Sequence, residues 1–108
     1  MVAQQFNNDL YILNLDTLTW TKKECNGACP ERRYSHAFCS IGSNKILSFG
    51  GSGLNGVYYN QLHILDISNW TWTKIVPKGA IPAGRNGFAF AVFENRFYVH
   101  GGDQGQGI

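Results

Sequence analysis

The chain has 108 residues, 44% hydrophobic and 15% charged, enough for one modest core and too apolar for a disordered segment. Its formal charge of +2 comes from arginines and lysines scattered along the sequence, so no basic stripe follows a groove and nucleic acid is excluded as a partner. Aromatics at 14% and thirteen glycines favour sheet with tight turns over helix.

The opening stretch, Met1 to Asn8, has neither the apolar core nor the basic flank of a signal peptide. No apolar run approaches the ~20 residues that cross a bilayer. Three cysteines, an odd number, argue against a disulfide framework. The expected compartment is the cytoplasm, with the nucleus left open.

The first strand pattern lies where Tyr11, Leu13 and Leu15 alternate with Ile12 and Asn14, the period of a half-buried strand. Short apolar or aromatic segments follow near His36–Ile41, Lys45–Phe49, Gln61–Asp66 and Trp72–Val76. Two more lie near Gly87–Val92 and Arg96–His100. Gly, Asn, Ser or Pro bounds each of them, marking turns. No window shows a clean helical period.

These segments repeat. Asn8-Asp-Leu-Tyr-Ile-Leu-Asn-Leu-Asp-Thr-Leu-Thr-Trp20 matches Asn60-Gln-Leu-His-Ile-Leu-Asp-Ile-Ser-Asn-Trp-Thr-Trp72 at six of thirteen positions, fifty-two residues on. At the same offset Gly27-Ala28-Cys-Pro30 meets Gly79-Ala80-Ile-Pro82, Arg33 meets Arg85, and Ala37-Phe38 meets Ala89-Phe90. One residue then drops out, and Phe49-Gly50-Gly51 falls on His100-Gly101-Gly102. A period near fifty with four short strands is the signature of a propeller blade.

The order Phe49-Gly50-Gly51, Asn60-Gln61-Leu62-His63, Trp72, Pro82-Ala-Gly-Arg85 resembles the Kelch repeat, and the preceding copy repeats it with Asn8 to Tyr11, Trp20, Pro30 to Arg33 and His36. The resemblance departs at Phe88, which stands where the earlier copy has His36, and at His100, in the place of Phe49. It implies an all-β fold of antiparallel four-stranded blades. The expected phase is the end of one blade over 8–21, a complete blade over 33–76, and the start of another over 85–102. One whole blade is then flanked by two halves of a partial propeller.

The repeated residues are expected to serve the scaffold. Gly50, Gly51, Gly101 and Gly102 would turn at positive φ and leave bare backbone for a bulky neighbour. Trp20 and Trp72 would cover that backbone and fill the blade interior. Arg33 and Arg85 would tie blades through hydrogen bonds to carbonyls.

Chemistry is sparse. Cys25 and Cys29, with His36 and Cys39 near, suggest zinc, but the spacing is loose and the second copy carries Pro77 and Ile81 instead. The cysteines read more simply as small apolar fillers. His36, His63 and His100 occupy scaffold positions. Asp66, Asp103, Glu31 and Glu94 show no paired acid–base spacing. Gly50 to Gly56 lacks the Gly-Lys-Ser/Thr ending of a phosphate loop. No cofactor, metal or catalytic residue is expected.

What the resemblance implies is a non-enzymatic scaffold that binds another protein. The alternative is part of an enzyme-type propeller resembling galactose oxidase or nitrile-specifier proteins; Tyr34, Tyr58 and Tyr59 lie off the repeat register, but no off-register histidine joins them as a copper ligand. Strands that alternate in direction place Lys22–Arg32, Ser52–Tyr59 and Lys78–Gly84 on one rim. The partner-binding residues expected there are Arg32, Leu54, Asn55, Val57, Tyr58 and Tyr59. Open blade edges also suggest self-association.

Overall fold

The computed structural model describes residues 8–105, whose regular structure is almost wholly strand. A hairpin of β1 (Leu10–Asn14) and β2 (Thr19–Lys23) comes first, and one of β8 (Ala89–Phe93) and β9 (Arg96–His100) comes last. Between them lies a sheet of β4 (Ala37–Ile41), β5 (Lys45–Phe49), β6 (Leu62–Asp66) and β7 (Thr71–Ile75), each antiparallel to the next. The expected all-β architecture of one whole blade between two halves is what the chain adopts.

One element was not expected. Residues Asn26–Gly27 form β3, which runs parallel to the outer strand β7. The Asn26 N–H donates to the Trp70 carbonyl at 2.9 Å, and the Ala28 N–H to that of Trp72 at 3.0 Å. Asparagine and glycine are poor strand formers, so nothing local signals this pairing. Gly27 is required: its φ is 83°, and a Cβ would strike the Trp72 carbonyl. The linker between blades thereby covers an edge that would otherwise stay open.

Side-chain alternation gives the central blade two faces. One carries Ala37, Leu47 and Phe49, at most 6% exposed, and packs against Phe88, Phe97 and Val99 of the last hairpin. The Phe49 ring meets Phe88 and Phe97 edge-on, at 5.8 and 5.9 Å between centroids. The other face carries Phe38, His63, Leu65 and Trp72 and turns toward the first hairpin. On it Trp72 contacts Phe38 and His63 with centroids 6.5 and 6.3 Å away.

The tryptophan expectation is corrected in two respects. Phe88, not Trp72, covers Gly50, where an added Cβ would lie 2.8 Å from the ring; His36 covers Gly51 at 2.7 Å. Trp72 is 8% exposed, whereas Trp20, at the same place in the repeat, is 65% exposed. The reason is that β1–β2 has no strand beside it, among the described residues, to supply the counterpart of Phe38.

The glycine pairs take positive φ: 74° and 94° at Gly50 and Gly51, 75° and 98° at Gly101 and Gly102. Arg33 is buried. Its guanidinium donates to the Gly50 carbonyl at 3.2 Å and Gln61 Oε1 at 3.0 Å, and its Nε to the Glu31 carbonyl at 2.9 Å. Arg85 repeats the pattern on the carbonyls of Ala83 and Gly101. The arginines therefore strap each blade to its own second strand. Blades are joined by main chain instead: Gly51 N–H to the Arg85 carbonyl, Arg85 N–H to the Tyr59 carbonyl and Gly87 N–H to the Ser35 carbonyl. Asn86 adds a side-chain bond to the buried Ser52 hydroxyl at 2.7 Å.

Burial pushes His63 down to about 4 from its ordinary 6.5, with the Arg33 and Lys74 charges adding to the effect. The fold holds a neutral imidazole that the unfolded chain protonates near 6.5. Its contribution is therefore intact above that pH and is lost as pH falls toward about 4. The melting temperature should drop across this window, and His63→Phe should flatten the drop. A wild-type profile unchanged by the substitution would assign the acid sensitivity elsewhere.

Candidate functional site

The segment from Gly50 to Gln61 joins β5 to β6 and is anchored at its base. Ser52 bridges both Tyr34 and Tyr58, and the Tyr59 N–H donates to the Gly51 carbonyl at 2.8 Å. Beyond this base the loop makes a single tight turn at Leu54–Gly56, with Asn55 at φ 60°, a conformation asparagine tolerates. The turn lifts Leu54 (58% exposed) and Val57 (43% exposed) off the sheet.

The linker between the first two blades comes up beside this loop. The Tyr59 hydroxyl donates to Glu31 Oε2 at 3.1 Å, and the Arg33 guanidinium carbon lies 4.0 Å from the centre of the Tyr59 ring. Burial raises the Tyr59 phenol above its usual range, with the Glu31 carboxylate pushing the same way. Tyr59 is thus stacked on one neighbour and hydrogen-bonded to another, a fixed floor rather than a mobile lip. Around it, Asn8, Glu31, Arg32, Leu54 and Val57 complete an open cleft of about 490 Å³.

Of the residues expected at a binding surface, the structure brings together Arg32, Leu54, Val57 and Tyr59. Tyr58 turns the other way, where its ring packs against Gly105. Asn55 stands exposed at the tip of the turn and does not line the cleft. The Lys78–Gly84 segment is not part of the cleft; Gly84 packs against the Tyr58 carbonyl, so closely that a Cβ would overlap it.

Sequence reasoning missed Asn8 and Glu31. Asn8 also carries a structural role: its Nδ2 donates to the Pro30 carbonyl at 3.2 Å, and Asn60 does the same to Pro82 at 3.1 Å. The signal was present, since both asparagines and both prolines are paired at the same repeat offset. Glu31 has no such signal, because the second copy has Ala83 there.

The cysteines are all free thiols. Burial pushes Cys25 and Cys39 above their ordinary values, which keeps them protonated. Cys39 packs beside the core as a small apolar residue, but Cys29 is exposed, so the filler reading does not extend to it. Among the described residues no three His, Cys, Asp or Glu side chains gather as metal ligands, and no helix is long and apolar enough to cross a membrane.

Comparison with known proteins agrees with this architecture. The family profile described as "KLHDC2/KLHL20/DRC7 Kelch-repeats domain" matches residues 2–108. Acyl-CoA-binding domain-containing protein 4 of Arabidopsis thaliana is 38% identical over 101 residues, 93% of this chain and 15% of that protein. Rab9 effector protein with kelch motifs of Bos taurus is 33% identical over 97 residues, 88% of this chain and 26% of that protein. Kelch domain-containing protein 2 of Bos taurus is 31% identical over 98 residues, 90% of this chain and 24% of that protein. The chain spans about a quarter or less of the length of these curated relatives. A profile that runs through all three sheets, around a complete four-stranded blade, establishes that the chain belongs to the Kelch-repeat β-propeller family.

Proposed function

We propose that this chain is part of a protein-interaction scaffold and holds another protein at the cleft between the Ser52–Tyr59 loop and Glu31–Arg32. The observation that carries the reading is the contrast between lip and floor. Leu54 and Val57 are exposed aliphatic side chains at the lip, while Tyr59 and Arg33 beneath them are held by stacking and hydrogen bonds. A floor ordered before binding spares the entropy of ordering it afterwards. Arg32, exposed at the rim, adds a charge-assisted hydrogen bond to a partner carboxylate or carbonyl. A relative named as a Rab9 effector with kelch motifs supports the class of function and not the identity of the partner.

Replacing Leu54 and Val57 together with Ala should weaken capture of the partner by about tenfold or more, the loss expected of two central apolar contacts. Both side chains are exposed, so the melting temperature should stay within a few degrees. Tyr58→Ala, outside the cleft, should leave capture close to that of the parent. Quantitative affinity capture from cell extract, compared across the three proteins, reads all of these outcomes. Undiminished capture by the double variant, or collapse of its fold, would remove this cleft as the recognition surface.

A further inference from the structure

We propose that Cys25 and Cys29 form a dithiol that a hydroperoxide oxidises to a disulfide within the chain, Cys29 reacting first and Cys25 closing the bond. The linker that carries them is folded back on itself. Gly27, at φ 83°, reverses the chain between them, and the Cys29 N–H donates to the Gly27 carbonyl at 3.0 Å. The Cys29 thiol consequently lies 3.9 Å from the Cys25 carbonyl oxygen and 3.9 Å from that of Asn26. Both cysteines line one cleft of about 110 Å³, together with Lys22, Glu24 and Trp72. That is room for a molecule of two oxygens, since a water takes ~30 Å³. With Cys29 already against the Cys25 main chain, joining the sulfurs needs side-chain rotation and no travel of the backbone.

The two thiols differ in the way this chemistry requires. Cys29 is exposed and Cys25 half-buried. Burial pushes the Cys25 thiol up and the nearby Cys29 sulfur pushes the same way, so Cys25 stays protonated while Cys29 meets solvent. Neither neighbour of the linker decides this exposure. Cys29 stays open with β7 alongside, and its repeat counterpart Ile81 is 43% exposed although Asn60 is bonded to the adjacent Pro82. Cys39 cannot compete as the second thiol. It packs beside the core cluster of Ala37, Leu47 and Phe49, on the face of the central blade opposite Trp72. Only Pro30 separates Cys29 from Glu31, so the modification falls on the linker that supplies Glu31 and Arg32.

In the first step the Cys29 sulfur, as thiolate, attacks one peroxide oxygen. An S–O bond forms, the O–O bond breaks, and the departing oxygen takes up a proton and leaves as water or an alcohol. Cys29 is then a sulfenic acid. In the second step the Cys25 sulfur attacks the Cys29 sulfur. An S–S bond forms, the S–O bond breaks, and the leaving hydroxide takes the Cys25 proton as water. Two electrons pass from the thiol pair to the peroxide. With hydrogen peroxide the products are one disulfide and two waters.

Trypsin cuts after Lys23 and Arg32, which places both cysteines on the peptide 24–32 and Cys39 on another. The folded protein is exposed to hydrogen peroxide, then denatured and alkylated with iodoacetamide. Free thiols should fall from three to one. The peptide 24–32 should be lighter by two hydrogens and carry no label, with Cys39 labelled in full, and dithiothreitol should restore all three thiols. Under the same exposure Cys29→Ser should keep both of its thiols. Cys25→Ser should stop at a sulfenic acid on Cys29, which dimedone traps. Phenylarsine oxide, which bridges two close thiols without oxidising them, should bind the parent one to one and neither variant. Its binding to the parent decides the matter if a variant fails to fold. Two labelled cysteines on the peptide 24–32 after peroxide overturn the proposal. So do a disulfide to Cys39 or to a second chain, thiol loss in Cys29→Ser equal to that of the parent, or a parent that leaves the arsenical unbound.

Discussion

Trp72→Ala should destabilise the chain by about 3–5 kcal/mol, whereas Trp20→Ala should cost under about 1 kcal/mol. The two residues have the same identity and the same repeat position, so the contrast isolates what surrounds them. Trp72 is 8% exposed between Phe38 and His63; removing its indole leaves a cavity that a strand on either side keeps open. Trp20 is 65% exposed on a two-stranded sheet and has little packing to lose. Chemical denaturation of the parent chain and of each variant measures both costs. Equal costs at the two sites would mean that burial does not differ as described.

Arg33→Ala should cost about 2–4 kcal/mol, since hydrogen bonds from a charged donor are worth ~1.5–3 kcal/mol and the buried Gly50 carbonyl would be left without this donor. Arg33→Lys should recover little, because one ammonium cannot span Glu31, Gly50 and Gln61 and also stack flat on Tyr59. Arg85→Ala removes the matching strap at the more open end of the molecule and should cost about 1 kcal/mol. Arg33→Ala should also weaken partner capture, since Tyr59 loses the surface on which it stacks. Urea midpoints for the three variants, set beside capture by the same proteins, test both halves of this expectation. A midpoint for Arg33→Ala equal to that of Arg85→Ala would show that burial of the strap adds nothing.

The blade was legible because its markers answer to local backbone demands. A glycine pair at positive φ, a proline before an arginine and alternating apolar residues each leave a trace at a fixed offset. What escaped notice depends on partners distant in sequence. Nothing in Asn26–Gly27 says strand until Thr71–Trp72 lies alongside. Nothing in Trp20 says exposed, since its letters match those of Trp72. The divergence of Tyr58 and Tyr59 was partly foreseeable, because adjacent residues of an extended segment point to opposite sides and only one of the pair reaches a given surface. Which one does so was settled by Glu31 and Arg33, which approach from the linker leading into the blade, more than twenty residues earlier in the chain.

The residue that drops out of the repeat lies at a hairpin tip. Three residues, Gly42 to Asn44, join β4 to β5, whereas β8 and β9 are joined by Glu94 and Asn95 alone, both at positive φ (49° and 63°) as a two-residue hairpin turn demands. The strands on either side keep equivalent pairing despite the change: Ala37 faces Phe49, and Ala89 faces His100. That rim of the disc therefore accepts changes in length without passing them into the sheet. A peptide epitope inserted after Gly42 would stand at the end of β5 opposite the Ser52–Tyr59 loop, an attachment point for immobilising the protein with its binding cleft outward.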